Sequence, residues 1–163
     1  MLKTFVEERP APEGGGLLPV EVDDAALTLV RFEGGAVGSI EATRFATGRR
    51  NYNRFEINGS LGSLSFNLER MNELEYYNED DPDGYRGFRV IQATEASHPY
   101  AGHYWPVAHI IGYEHTFINL LADAFTNMAE GKRIEPDFVD GYENQRVLDA
   151  VEKSHESRGW VKL

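Results

Sequence analysis

Ala25-Ala26-Leu27-Thr28-Leu29-Val30-Arg31-Phe32, then Glu33-Gly34-Gly35, then Val37-Gly38-Ser39-Ile40-Glu41-Ala42-Thr43-Arg44-Phe45, reads as a β-hairpin and decides the fold. Both runs mix β-branched, aromatic and small residues in the pattern of a half-buried pleat, with Leu27 and Leu29 out of phase with Val30 and Phe32. A Gly-Gly pair between such runs supplies the positive φ values that a tight turn needs. A second pair follows at once. Arg54-Phe55-Glu56-Ile57-Asn58-Gly59 and Gly62-Ser63-Leu64-Ser65-Phe66-Asn67 pair across Asn58-Gly59-Ser60-Leu61-Gly62, and Phe55, Ile57, Leu64 and Phe66 fall on alternate positions. Each strand can thus turn one apolar row toward a covering layer.

Outward from this centre, residues 2–8 read as a further strand that begins with no cap or leader, as if part-way along a longer chain. Arg9-Pro10-Ala11-Pro12-Glu13-Gly14-Gly15-Gly16 reads as a surface loop. Its glycines do not match a dinucleotide fingerprint, because the third glycine of Gly-x-Gly-x-x-Gly would fall on Pro19. Beyond Glu73-Leu74-Glu75-Tyr76-Tyr77, the acidic run at residues 78–84 resembles the start of a calcium loop. With Gly84 in the sixth place, however, the twelfth position, where a bidentate Glu is required, is Val90. A solvated hairpin tip fits better, leading to a strand at residues 87–94.

Two helices close the chain. Residues 113–130 carry Tyr113, Phe117, Leu120, Leu121, Ala124, Phe125 and Met128 at three- and four-residue steps, which predicts a core-facing stripe ended by Gly131. Asp137 or Asp140 caps the second helix, which Gly159 stops before a short terminal strand at residues 160–163. The fold expected is α+β: an open, largely antiparallel β-sheet with helices packed on one face, residues 1–163 forming a single domain.

A surplus of 27 acidic over 16 basic residues gives the 163-residue chain a net charge of −11, which disfavours nucleic acid and anionic membranes as partners. The chain has no cysteine, which fits a reducing cytoplasm and rules out disulfides and thiolate metal sites. No apolar run approaches the ~20 residues of a spanning helix. A soluble cytoplasmic protein is expected.

The most unusual stretch is His98-Pro99-Tyr100-Ala101-Gly102-His103-Tyr104-Trp105-Pro106-Val107-Ala108-His109, aromatic and imidazole groups in a loop punctuated by proline and glycine. Loops on a rigid sheet commonly carry binding groups, and such side chains suit the mixed C–H and O–H surface of a sugar. Equally, Tyr104 and Trp105 can plug a gap between sheet and helix. His98, His103, His109 and His115 have no ligand-pair spacing for a metal. No serine lies in a Gly-x-Ser-x-Gly elbow, and carboxylates are too abundant to single out an acid and base. Asn58-Gly59-Ser60 matches a glycosylation acceptor but reads better as the hairpin turn. Arg44 alternates with Ile40 and Ala42; a buried guanidinium there needs a partner, either a carboxylate such as Glu41 or a bound oxygen ligand.

Taken together, Asp24-Ala25-Ala26, Gly38-Ser39-Ile40-Glu41-Ala42-Thr43-Arg44, Phe55-Glu56-Ile57-Asn58-Gly59-Ser60-Leu61-Gly62-Ser63-Leu64, Gly112-Tyr113-Glu114-His115-Thr116-Phe117 and Glu135-Pro136-Asp137-Phe138-Val139-Asp140-Gly141 with Trp160-Val161 resemble the C-terminal domain of the Gfo/Idh/MocA oxidoreductases. The resemblance covers nearly the whole chain, and the loop at residues 98–109 is similar to that of members acting on sugars, anhydrosugars or inositols. It implies an NAD(P)-dependent dehydrogenase in which an N-terminal Rossmann domain precedes this one, the open sheet face builds a dimer or tetramer, and loops close the pocket. The family's glycine-rich turn, its Glu-Lys-Pro lysine and its helix with Gly, Asp and His have no counterpart here. This chain is therefore assigned no catalytic, cofactor-binding or metal-binding residues, and NAD or NADP is implied only for the full-length protein. The substrate-side candidates are Arg44, Tyr100, His103, Tyr104, Trp105 and His109. The competing expectation is a stand-alone carbohydrate-binding or assembly module with no redox role, which a reading frame truly starting at Met1 would favour.

Overall fold

The computed structural model describes all 163 residues, which fall into two compact units, Met1–Gly48 with Pro136–Leu163, and Arg49–Glu135. The class is α+β. Nine strands, all paired antiparallel, form three hydrogen-bonded groups, and two α-helices follow.

In the first unit, β1 (Leu2–Lys3), β4 (Ala25–Arg31) and β5 (Val37–Thr43) make one sheet in the order β1-β4-β5, while β2 (Glu8–Pro10) and β3 (Leu17–Pro19) pair separately. The β4–β5 turn forms at the Gly-Gly pair: Gly35 has φ 89°, and the Phe32 N–H donates to the Ala36 carbonyl at 2.9 Å. Register sets Leu27, Leu29 and Arg31 opposite Glu41, Ser39 and Val37 on one face, and Ala26, Thr28 and Val30 opposite Ala42, Ile40 and Gly38 on the other. Ala26, Thr28 and Val30 are partly covered, whereas Leu27, Leu29 and Val37 are exposed.

The expected continuous strand at residues 2–8 is broken, and the cause is Asp24. Its carboxylate, only 3% exposed, accepts the N–H groups of Phe5 at 2.8 Å and Val6 at 3.0 Å, so these donors are withdrawn from any ladder. Arg9 adds a contact at 3.4 Å. The two backbone donors, Val6 first, lower the Asp24 pKa against the opposing effect of burial, and the charges of Arg9 and Arg44 add to them. A carboxyl with a lowered folded pKa stabilises the fold fully above its unfolded value of about 4 and loses that contribution as pH falls through the folded value. Asp24→Asn should therefore melt several degrees below the wild type at neutral pH. Melting curves across a pH series should show the gap narrowing below about pH 4; a gap independent of pH would mean that the charge on Asp24 plays no part.

After β3, which flanking glycine and proline conceal in the sequence, α2 (Phe138–Ser157) belongs to the same unit. Asp137 caps it, accepting from Val139 N–H at 2.7 Å, and Asp140 Oδ2 accepts the Asp137 N–H at 2.7 Å, closing a capping box. The helix stops one residue before Gly159, at Arg158, which is left-handed with φ 52°. The terminal strand expected at residues 160–163 does not form. Ser154 Oγ donates to the Gly159 carbonyl at 2.7 Å, turning the chain, and Trp160 lies under the Arg31 guanidinium at 4.3 Å.

The second unit holds β6 (Arg54–Asn58), β7 (Gly62–Asn67), β8 (Glu73–Asn78) and β9 (Arg89–Gln92) in sequential order. Phe55 faces Phe66, Ile57 faces Leu64, and the row continues through Leu74 and Ile91 and through Tyr76, so the alternation in the sequence does define one apolar face. The acidic run forms the β8–β9 connection, where Arg86 reaches Glu79 at 3.2 Å and Asp83 at 3.3 Å, and Arg89 pairs with Asp81. Those carboxylates are matched by arginines of the same hairpin. No helix is long and apolar enough to cross a membrane.

The helix α1 (Tyr113–Ala129) corrects one expectation. Its apolar stripe is exposed, Phe117 at 53% and Phe125 at 64%, whereas His115, Asn119, Asp123 and Asn127 occupy the covered row. The physical reason is that the phenols of the preceding loop bond to this polar row.

Candidate functional site

The loop at residues 93–112 is tied at both ends to Asn72, just ahead of β8. The Ala93 N–H donates to the Asn72 carbonyl at 2.9 Å, and the Asn72 side chain donates to the Ile111 carbonyl and accepts the Ile111 N–H, both at 2.9 Å. A side-chain amide thus stands in for a strand neighbour. Between these ties the chain makes tight turns. Tyr100 is left-handed, with φ 65°, and opens a one-turn helix at Ala101–His103; Ala108 is also left-handed, with φ 73°. Such a conformation costs a non-glycine residue roughly 1–2 kcal/mol, so something must hold it.

At Tyr100 that hold is visible. Its hydroxyl donates to Asp123 Oδ2 at 2.5 Å, and this bond, with some desolvation, raises the phenol pKa above its usual value. Four residues along, the Tyr104 hydroxyl donates to Asn119 Oδ1. One further turn toward the helix start is His115, 7% exposed, whose Nδ1 accepts the Gly112 N–H at 3.0 Å. The Glu114 carboxylate is farther from that nitrogen, at 3.4 Å. The Tyr104 ring meets the imidazole edge-on at 4.3 Å between centroids, and Trp105 lies 6.2 Å from it. Helical spacing of 115, 119 and 123 puts all three on one face.

Tyr100, Tyr104 and Trp105 are thus gathered over α1, and the Trp105 indole remains 53% exposed. His103 is exposed, its N–H bonded to the Tyr100 carbonyl at 2.9 Å. His109 is exposed and folds back on its own turn, Nδ1 lying 3.0 Å from the Pro106 carbonyl. Arg44 belongs to the first unit, in a cleft of about 340 Å³ that Arg9 and Asp24 also line. It is exposed rather than buried, and its charge helps to lower the pKa of Asp24. An arginine beyond a strand end reaches solvent, so the requirement for a buried partner does not arise. No three of the His, Asp and Glu side chains converge to hold a metal ion.

Sequence reasoning missed Asn119 and Asp123, and weighed His115 as a metal candidate and as part of the family motif opening the helix. The signal was available: three polar residues at four-residue intervals on a helix otherwise rich in large apolar side chains. Chemically, the arrangement offers an aromatic face, exposed imidazoles and anchored hydroxyls.

Antiparallel ladders followed by two α-helices define an α+β domain. The family model described as "Oxidoreductase family, C-terminal alpha/beta domain" matches residues 4–163, and the chain belongs to that family, the Gfo/Idh/MocA oxidoreductases. A curated relative, levoglucosan dehydrogenase of Pseudarthrobacter phenanthrenivorans, is 42% identical over 176 residues, covering 100% of this chain and 45% of the relative. Among solved structures, an oxidoreductase domain protein from Kribbella flavida is 54% identical with a TM-score of 0.92, over 98% of this chain and 42% of that one. A levoglucosan dehydrogenase in complex with NADH and L-sorbose is 45% identical with a TM-score of 0.92, over 98% and 43% of the two chains. The chain thus spans less than half the length of these relatives.

Proposed function

We propose that this chain is the substrate-shaping and oligomer-forming domain of an NAD(P)-dependent oxidoreductase acting on a sugar, anhydrosugar or polyol, the cofactor being held by an N-terminal domain. The observation that carries the reading is the half-exposed Trp105 indole beside two anchored phenols, in a chain 42% identical to a levoglucosan dehydrogenase. An indole face suits the C–H surface of a sugar ring, while His103 and His109 at the loop surface suit its hydroxyls. Arg44 is assigned a substrate contact from its own cleft. Hydride transfer needs a nicotinamide held against a carbinol carbon, and that task falls to the other domain. The exposed row Leu27, Leu29 and Val37 supports self-association through the sheet face.

The test uses the complete oxidoreductase with levoglucosan, L-sorbose and inositols as substrates and NAD or NADP as oxidant. Turnover of at least one polyol is expected, with sedimentation giving the mass of a dimer or tetramer. Trp105→Ala should raise KM about tenfold. Turnover of none of these with either nucleotide, or an unchanged KM in the variant, would overturn the reading. Sugar binding by the 163-residue chain without any turnover in the complete protein would favour a carbohydrate-binding module.

A further inference from the structure

We infer that Asn119 and Asp123 are positioning residues for this site: by accepting the hydroxyls of Tyr104 and Tyr100 they hold the left-handed turn that presents Trp105. The inference rests on the proposed function for its kinetic consequence but not for its structural one. Three observations on different atoms converge. Tyr100 keeps an unfavourable backbone conformation, φ 65°, which the turn does not itself stabilise through any side-chain cap. Its hydroxyl reaches 23 residues ahead in sequence, to the Asp123 carboxylate at 2.5 Å, and Tyr104 makes the parallel bond to Asn119 one turn away. The buried His115 ring fills the space under Tyr104 and Trp105, its own orientation fixed by the Gly112 N–H.

These bonds give the row a division of labour. A charge-assisted phenol–carboxylate bond is stronger than a neutral one and sets where the turn begins. The phenol–carboxamide bond fixes the residue immediately before Trp105. With both made, the indole has little freedom left before a ligand arrives, which lowers the ordering cost of binding. Neither Asn119 nor Asp123 needs to touch the ligand. The raised pKa of Tyr100 agrees with a proton that stays on the phenol donating to Asp123.

Two measurements test this. In the 163-residue chain carrying Trp160→Phe, Trp105 is the only indole, and its fluorescence anisotropy and quenching by acrylamide report the freedom of the loop. Asp123→Ala, Asn119→Ala and Tyr100→Phe should each lower the anisotropy and increase quenching. The pair Tyr100→Phe with Asp123→Ala should be no worse than either alone, because both remove the same bond. Asp123→Asn and Asn119→Asp keep an acceptor and should restore most of the signal. In the complete oxidoreductase, the alanine variants should raise KM about tenfold with kcat nearly unchanged, the mark of weakened binding rather than weakened chemistry. Unchanged fluorescence in the alanine variants would overturn the inference. So would Asp123→Asn behaving like Asp123→Ala, since the charge itself and not the hydroxyl bond would then matter. If the complete protein turns over no polyol, the proposed function fails while the fluorescence result still decides the positioning role.

Discussion

Alanine at position 62 should cost the chain about 2–3 kcal/mol of stability. A Cβ on Gly62 would stand 2.5 Å from the Tyr77 carbonyl oxygen, which is backbone inside the β7–β8 ladder and cannot swing aside as a side chain would. Gly62 pairs with Asn78 and its neighbour Ser63 with Tyr77, so relief requires prying the two strands apart. The turn above is fixed as well, by Gly59 N–H to the Gly62 carbonyl at 2.9 Å and Glu79 N–H to the Leu61 carbonyl at 3.0 Å. Gly59→Ala is the control, because its Cβ would meet nothing nearer than 3.5 Å and should change stability by less than about 0.5 kcal/mol. Denaturant midpoints of the two variants decide the matter. Equal midpoints would show that the ladder yields freely at position 62.

Removing the Asn72 amide comes second in size. Asn72→Ala deletes both hydrogen bonds to Ile111 and leaves a partly buried N–H and carbonyl without partners, a loss of about 2 kcal/mol. Its effect should be local first. Amide exchange should accelerate at Ile111 and through residues 98–109 while the paired core of β7 and β8 stays protected. Asn72→Asp keeps the acceptor for the Ile111 N–H but loses the donor, and should fall between wild type and alanine. Uniform loss of protection across the sheet would mean that Asn72 supports the ladder rather than the loop.

The parts of this molecule legible in its sequence are those fixed by local rules. The Gly34-Gly35 hairpin, the alternating row of Phe55, Ile57, Leu64 and Phe66, the Asp137 cap and the Gly131 stop all follow from turn chemistry and periodicity, and the structure has each of them. What was not legible depends on contacts between distant residues. Nothing near Phe5 and Val6 announces that Asp24 will take their N–H groups. Nothing near Trp160 marks it for the Arg31 guanidinium rather than a strand. The aromatic loop stood out by composition, but its seat on α1 did not, because an apolar stripe at helical spacing is ordinarily the inner one. Here the phenols claimed the other side.

A helix transmits displacement as a stiff rod, and α1 carries different tasks on its two flanks over 17 residues. Asn119 and Asp123 steer the tyrosines on one flank, and Phe117, Leu121 and Phe125 stand bare on the other. Whatever comes to lie against the bare flank sets the roll of the rod about its axis, and each hydroxyl acceptor turns by the same angle. A change at Phe117, Leu121 or Phe125 would thus reach the Trp105 indole through the tyrosines without touching it.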